Sequence, residues 1–224
     1  MDKGETNTML SLEEHFTKIY ETNYWNGIHS KSGTGSDIET TKVMRPQFVE
    51  LINRRGFKSM IDAPCGDFFW MKETIQHLLL DKYTGLDIVK EMVDKNNEVY
   101  GDGDKIQFGY VDVVNEILPK VDLIFSRDCL VHFSYETVKI ILQNYIDSGS
   151  EYLLMTTFMS DQRQYSDILD GQWRAINFLG APMNLPKPEE IIFEGCIEDK
   201  YRWTDKCLAL WKLSDLKGHF ECGT

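Results

Sequence analysis

Between Ser59 and Phe158 short apolar runs alternate with stretches whose apolar residues recur at helical spacing, and few folds accommodate that rhythm. Strands are predicted at Ser59 to Ala63, Tyr83 to Ile88, Ile106 to Val111, Val121 to Ser126 and Tyr152 to Phe158. Helices are predicted at Trp70 to Leu79, Lys90 to Tyr100 and Tyr135 to Ile146, the last with Ser134 as its N-cap. This alternation implies a doubly wound α/β sheet, parallel in its body, with helices on both faces. The tail departs from it. Glu190 to Cys196 and Lys206 to Leu213 are strand-like and joined by a polar turn, Glu198 to Asp205. That spacing suits an antiparallel hairpin closing the sheet edge, so the last strand is expected to be reversed. Upstream, Leu12, Phe16, Ile19 and Tyr20 mark one amphipathic helix within Leu10 to Tyr24. Val43, Met44, Phe48, Leu51 and Ile52 mark another within Thr40 to Arg55, ended by Gly56. The Gly/Ser-rich stretch between them, Ile28 to Glu39, is expected to be a flexible loop or a loop that folds over a ligand.

The 224 residues fit one domain, with a helical cap and Gly/Ser loop over 1–56 and a core over 57–216. Hydrophobic residues at 42% supply enough apolar material for a sizeable core. The net charge of −12 repels phosphate backbones, and no Lys/Arg-rich run offsets it, so a nucleic-acid partner is not expected. A small-molecule ligand is, with the chain a monomer or homodimer. The five cysteines, Cys65, Cys129, Cys196, Cys207 and Cys222, are odd in number and form no C-x-x-C pair, which argues against a zinc ribbon or a disulfide framework. Met1 to Ser11 is polar, so no signal peptide is expected, and no apolar run approaches the roughly 18 residues of a membrane span. A reducing cytoplasm is the expected location.

The chemistry concentrates where the first strand runs into Asp62-Ala63-Pro64-Cys65-Gly66-Asp67 and then a helix. Ligands of open α/β sheets bind outside the carboxyl ends of the strands, and Gly66 lets the backbone approach one closely. Asp87, about twenty residues on at the end of the second strand, can accept hydrogen bonds from both hydroxyls of a ribose. Asp112, just past the third strand, is placed to receive the exocyclic amine of an adenine. Each aspartate alone reads equally well as a helix cap or turn residue; together, each just beyond a strand, they read as a nucleoside site. A nicotinamide dinucleotide fits poorly. Its fingerprint needs three glycines and a pyrophosphate on the helix N-terminus, whereas Pro64 and Phe68 hold the first and third places and Asp67 would repel the pyrophosphate. S-adenosyl-L-methionine carries a sulfonium and no phosphate, and its ammonium group welcomes a carboxylate such as Asp62 or Asp67.

The runs Asp-Ala-Pro-Cys-Gly-Asp-Phe-Phe-Trp-Met, Tyr-Thr-Gly-Leu-Asp-Ile and Asp-Leu-Ile-Phe-Ser-Arg-Asp-Cys-Leu-Val-His-Phe-Ser resemble class I S-adenosylmethionine-dependent methyltransferases. The resemblance is to a bacterial branch with Ser-Gly-x-Gly-Ser upstream and Asp-Lys-Cys-Leu-Ala-Leu-Trp near the C-terminus, and it spans about Tyr24 to Leu216. It implies a seven-stranded Rossmann-like sheet with an antiparallel last strand and S-adenosyl-L-methionine as cofactor. It implies Asp62 and Gly66 near the methionine end, with Cys65 and Asp67 also in contact with the cofactor, Asp87 on the ribose, and Ile88 on the adenine face. Asp112 and the backbone of Val113 fall at the adenine, and Arg127 beside the cofactor. The Gly/Ser loop and Arg45 are expected to close over it, with Arg45 a candidate for its carboxylate.

Residues leaving the fourth strand face the transferring methyl group in such a fold. Methyl transfer from a sulfonium needs positioning, plus a base when the nucleophile is a hydroxyl. His132 is the candidate base, and Asp128, four residues earlier, either orients it or acts itself. His132 reads alternatively as a residue that holds its loop. The long connection from Phe158 to Glu190 mixes Arg163, Tyr165, Trp173 and Arg174, a composition suited to a polyhydroxylated acceptor bearing a phosphate or carboxylate. The expected activity is O-methylation of a small polar acceptor, foremost a sugar or sugar nucleotide of surface-glycan biosynthesis, without a metal. The alternatives are an N-methyltransferase for a small amine or protein side chain, and a non-catalytic cofactor-binding protein.

Overall fold

The computed structural model describes residues 10–160 and 166–220. Seven strands form one sheet: β1 (Ser59–Asp62), β2 (Lys82–Asp87), β3 (Ile106–Tyr110), β4 (Leu123–Ser126), β5 (Tyr152–Phe158), β6 (Glu190–Phe193) and β7 (Lys206–Lys212). Their order across the sheet is β3-β2-β1-β4-β5-β7-β6. The strands β1 to β5 pair in parallel, and β7 runs antiparallel to both β5 and β6. Strand order reverses between β1 and β4, which opens a crevice outside their carboxyl ends.

Alternation along the strands builds a core on each face. Ile61, Ile124, Leu153, Met155, Ala209 and Trp211 point to one face, where Val138, Ile141, Leu142 and Tyr145 of α5 (Tyr135–Asp147) cover them. Met60, Leu123, Phe125, Leu154, Leu208 and Leu210 point to the other, against Met44, Phe48, Leu51 and Ile52 of α2 (Met44–Arg55). Both faces being covered explains why β4 and β5 read as continuous apolar runs. The N-terminal helix α1 (Leu12–Thr22) starts in a reciprocal capping box between Ser11 and Glu14. Helix α2 ends at Gly56, whose φ of 72° suits glycine. Ser134 caps α5 by accepting from the Thr137 amide at 3.3 Å.

One expectation is corrected. The helix expected over Trp70 to Leu79 is only the short α3 (Met71–Thr74), followed by a 3-10 turn at Ile75–His77. The β-branched Thr74 turns its hydroxyl back to the Trp70 carbonyl at 3.1 Å, and Asn53 of α2 pins the exit by donating to the His77 carbonyl and accepting from the Leu79 amide. The last strand is reversed as expected, and the antiparallel pair β6–β7 closes the sheet edge. The run Cys207 to Trp211 is buried throughout and needs neighbours on both sides, so β7 inserts beside β5 and leaves β6, with Phe193 half exposed, at the edge. Among the described residues no helix is long and apolar enough to cross a membrane. Cys65, Cys129, Cys196 and Cys207 are buried free thiols, and Cys222 lies outside the described residues.

Candidate active site

The turn after β1 is held by side chains from three other segments. The Cys65 amide donates to the Leu86 carbonyl at 2.9 Å, tying the turn to β2. The Gly66 amide donates to Asp87 Oδ2 at 3.0 Å, and the Val89 amide donates to Asp87 Oδ1 at 3.0 Å. Asn96, from α4 (Lys90–Tyr100), donates to the Gly66 carbonyl at 2.8 Å. Gly66 has φ 57°, and a Cβ there would meet Ser32 Oγ at 2.5 Å, so no other residue fits without a shift. Phe68, at the place of a third glycine, also has positive φ, and its buried ring packs on Tyr83, Tyr100 and Phe108. The turn departs from the glycine pattern because an aromatic anchor does the packing.

This turn forms one wall of a cavity of about 640 Å³ over the carboxyl ends of the strands. Of the residues singled out in the sequence, Asp62, Cys65, Gly66, Asp87, Ile88, Asp112, Val113, Arg127, Asp128, His132 and Trp173 line it. Ile88 packs with Phe16, Tyr20, Val89 and Met92, an apolar surface suited to a flat base. Asp112 also serves its own turn, accepting from the Val114 amide at 2.9 Å and from Asn115 Nδ2 at 2.7 Å.

Three expected residues stand outside the wall. Asp67 turns its carboxylate to the Gly/Ser loop, accepting from Ser30 Oγ at 2.9 Å and the Lys31 amide at 2.8 Å. Arg45 donates through Nη2 to the Ile38 carbonyl at 3.3 Å, so it braces the same loop from behind. Arg174 is buried, donates to the Phe133 carbonyl at 2.5 Å, and lies 4.1 Å over the Tyr135 ring. Its Nη2 lies 3.7 Å from Asp167 Oδ1, and the residue does not line the cavity. Arg163 and Tyr165 lie outside the described residues.

The Gly/Ser loop is ordered by local acceptors. Asp37 receives the amides of Ile28, His29 and Ser30 at 3.2–3.4 Å. Ser32 Oγ accepts from the Asp67 amide at 2.8 Å, and Thr34 Oγ1 donates across the cavity to Glu198 Oε1 at 2.7 Å. The loop is therefore a strap from the turn after β1 to the connection before β7. Asp67→Ala removes the acceptor for two of its hydrogen bonds, each worth about 0.5–1.5 kcal/mol. Faster amide hydrogen exchange over 30–34, with the sheet amides unchanged, is the expected result; unchanged exchange would show that the strap does not depend on Asp67.

Burial pushes the Asp62 carboxyl up to about 7, with the Asp87 charge adding to it and the hydrogen bond from Tyr83 opposing it. Tyr83 donates to Asp62 Oδ2 at 2.7 Å. Burial also raises Asp87, to about 6, although the amides of Val89, Gly66 and Ile88 favour its charged form. A carboxyl whose folded pKa lies above its unfolded value binds more protons folded than unfolded, so its contribution to stability is lost as pH rises through the folded value. Asp62→Asn is thus expected to raise the melting midpoint of the unliganded protein at pH 8, by about 2–4 °C for each kcal/mol of burial penalty removed. The gain should shrink as pH falls through about 7 and vanish only below about 4, where the unfolded carboxyl is protonated as well; a variant less stable than wild type at pH 8 would refute the assignment.

A second group of charges closes the opposite wall. Arg127 donates to Glu194 through Nη2 at 2.6 Å and Nε at 3.2 Å, and both side chains are buried. Lys206, at the start of β7, donates to Asp128 Oδ2 at 2.7 Å, and Arg127 Nη1 lies 3.4 Å from the same oxygen. Burial alone would raise Asp128, but Lys206 and Arg127 outweigh it and leave the carboxyl at about 2. Asp128 has φ 53°, a left-handed conformation that Asp tolerates, fixed by its amide donating to Thr156 Oγ1 of β5 at 2.8 Å. It is a fixed anion.

His132 is different. Burial drives its imidazolium down to about 4, against the opposing pull of the Gln172 carbonyl and Asp128. Nδ1 lies 3.0 Å from that carbonyl, which can only accept, so Nδ1 carries the proton and Nε2 keeps its lone pair. The ring stacks on Trp25 at 5.0 Å and meets the edge of Phe16 at 6.1 Å. A neutral, oriented imidazole beside a fixed carboxylate can accept a proton from a ligand hydroxyl.

Sequence reasoning missed Trp25, Lys206, Glu194, Glu198 and Trp203. The available signal was a lone lysine leading the apolar run Cys207 to Trp211 and a lone glutamate ending β6, since charges in such places are buried only when paired. Among the described residues no group of three or more His, Cys, Asp or Glu side chains could hold a metal ion.

The sequence matches no protein-family model and no curated protein. Solved structures match by shape. The N-methyltransferase NodS from Bradyrhizobium japonicum WM9, in complex with S-adenosyl-L-homocysteine, superposes with a TM-score of 0.61 at 12% identity, over 87% of this chain and 97% of that one. PigF with S-adenosyl-L-homocysteine gives 0.59 at 14% identity, over 88% of this chain and 62% of that one. An O-methyltransferase family protein from Burkholderia thailandensis gives 0.55 at 14% identity, over 78% and 56%. The chain thus spans less than two thirds of the length of the latter two proteins, at 62% and 56%. Seven strands in the order β3-β2-β1-β4-β5-β7-β6, with β7 reversed, give this chain the Rossmann-like methyltransferase fold.

Proposed function

We propose that the protein is an S-adenosyl-L-methionine-dependent methyltransferase that methylates a hydroxyl of a small polar acceptor, a sugar or sugar nucleotide in surface-glycan synthesis. The observation that carries the reading is the pair of buried carboxylates, Asp62 and Asp87, on the wall of the cavity. A cationic cofactor offsets the cost of ionising them; a pyrophosphate would add to it. In this reading Asp87 receives the ribose hydroxyls on its remaining lone pairs, Asp62 faces the methionine end, and Asp112 with the Val113 backbone meets the adenine above Ile88. The bound cofactor supplies an electrophilic methyl group. His132 Nε2 would take the acceptor proton as the methyl group passes from sulfur to the acceptor oxygen. Positive charge passes from sulfonium to imidazolium, so the cavity carries the same net charge before and after.

Amine methylation is a second reading, favoured by the carboxylates of Asp128, Glu198 and Asp199 on the acceptor wall, which would attract a cation. A neutral amine needs less base help, so His132→Ala separates the two readings. The direct test is a mass-spectrometric screen of glycosides, sugar nucleotides and amines for a gain of one methylene. A product from the hydroxyl set that depends on His132 supports the reading, and product from amines alone contradicts it.

A further inference from the structure

The acceptor wall contains a tryptophan whose environment is not that of a core residue. Trp173 lines the cavity, yet it is 42% exposed. Its ring is braced by two edge-to-face contacts, to Trp203 at 4.8 Å and 68° and to Phe158 at 6.1 Å and 87°. Trp203 and Phe158 line the same cavity. The backbone fixes the residue further: the Gly171 amide donates to the His132 carbonyl at 2.7 Å and the Arg174 amide to the Val131 carbonyl at 2.9 Å. The Gln172 carbonyl between them holds His132 Nδ1–H. Trp173 and the imidazole are thus carried by two strands of chain bonded to each other. No hydrogen-bond acceptor for the Trp173 indole N–H occurs among the described residues, whereas the core Trp211 donates its own to the Pro186 carbonyl at 2.7 Å. A rigid, half-exposed indole with an open donor is a ligand platform.

We propose that Trp173, braced by Trp203, is the acceptor platform and that it takes the apolar face of a neutral, saturated sugar ring with no phosphate beside it. This rests on the methyltransferase reading above. Three observations choose the class. The aromatic rings meet at steep angles, so among the described residues no second plate lies parallel to Trp173 to form the slot that a flat aromatic acceptor fills. Carboxylates of Glu198, Asp199 and Asp128 line the same cavity, and a carboxylate binds hydroxyls well and phosphate badly. The described cations of this wall are committed: Lys206 and Arg127 to Asp128 and Glu194, and Arg202 to Asp199 and the Trp203 face. Arg174, one residue from the platform, turns away to the Phe133 carbonyl. Ring C–H groups against the indole, with hydroxyls to the carboxylates and the indole N–H, satisfy every group at this corner.

Saturation-transfer NMR on the full chain tests this, with a set of methyl glycosides, catechol and a uridine-diphosphate sugar, each at millimolar concentration, with and without S-adenosyl-L-homocysteine. A methyl glycoside should receive saturation on the C–H protons of one ring face. That signal should fall about tenfold in Trp173→Ala and persist in Trp173→Phe, which keeps a stacking face. Equal affinity of wild type and Trp173→Ala for S-adenosyl-L-homocysteine shows that the variant is folded. The proposal is overturned if no glycoside receives saturation, if Trp173→Ala leaves the signal intact, or if only catechol or the nucleotide sugar binds. Glycoside binding without any S-adenosyl-L-homocysteine binding would sink the cofactor reading while leaving the platform standing.

Discussion

His132→Ala is expected to lower kcat by about 10²–10⁴-fold, the usual contribution of a positioned general base, while leaving the affinity for S-adenosyl-L-homocysteine within a few fold. The expectation follows from geometry first. Nδ1–H is committed to the Gln172 carbonyl, the ring is clamped by Trp25 and Phe16, and only Nε2 remains to act. With its imidazolium pushed down to about 4 by burial, His132 is neutral throughout the physiological range. The rate should therefore be flat in pH from 6 to 8 with respect to this group and fall only as pH drops through about 4. Such a base is weak in the resting protein. It strengthens as the reaction proceeds, because loss of the sulfonium charge and the fixed Asp128 anion both favour the imidazolium. Asp128→Asn is not an equivalent probe: it removes the charge nearest the buried Lys206 and leaves that ammonium to Glu194 and Glu198, each at 3.6 Å, so it perturbs the fold of the wall as well as the chemistry. Steady-state kinetics of His132→Ala with unchanged kcat would remove the imidazole from the chemistry and move the acceptor toward an amine.

Asp87→Ala carries the second large effect. Its carboxylate accepts from the Gly66 and Val89 amides and faces the cavity, so it both shapes the turn and offers acceptors to a ligand. Loss of buried hydrogen-bonding partners costs about 1–3 kcal/mol, roughly five- to a hundredfold in Kd, by calorimetry. Asp87→Asn keeps one acceptor oxygen and should fall between the two. Asp67→Ala should weaken the same ligand less, because Asp67 acts only through the strap. If the two variants weakened binding equally, the distinction drawn between wall and strap would fail.

How much of this is legible in the sequence differs between fold and site. The strands β1 to β5 and helices α4 and α5 are legible within a residue or two, because burial on both faces leaves uninterrupted apolar runs and the helices keep a clean 3.6-residue period. The short α3 is not, since the hydrogen bonds of Asn53 that end it come from a residue distant in the chain. The insertion of β7 beside β5 is not either, because a hairpin pattern fixes pairing and not which strand faces the sheet. In the site, Asp62, Gly66, Asp87 and Asp112 are legible because each sits at or just past a strand end, where topology alone brings them together. Arg45, Asp67 and Arg174 are not: a sequence shows a charge and leaves open which way it turns, and all three turn to loops or carbonyls. The pairing of Lys206 with Asp128 joins the two sides of β5 across the sheet, and no spacing rule reaches it.

The central claim is that the turn from Asp62 to Asp67 serves a cationic, phosphate-free nucleoside cofactor. Isothermal titration calorimetry of the wild-type chain with S-adenosyl-L-homocysteine, run beside NAD at matched concentration, tests it most directly. Saturable one-site binding of S-adenosyl-L-homocysteine, with none of NAD, is the predicted result. Absence of S-adenosyl-L-homocysteine binding at millimolar concentration, or tighter binding of NAD, would contradict it.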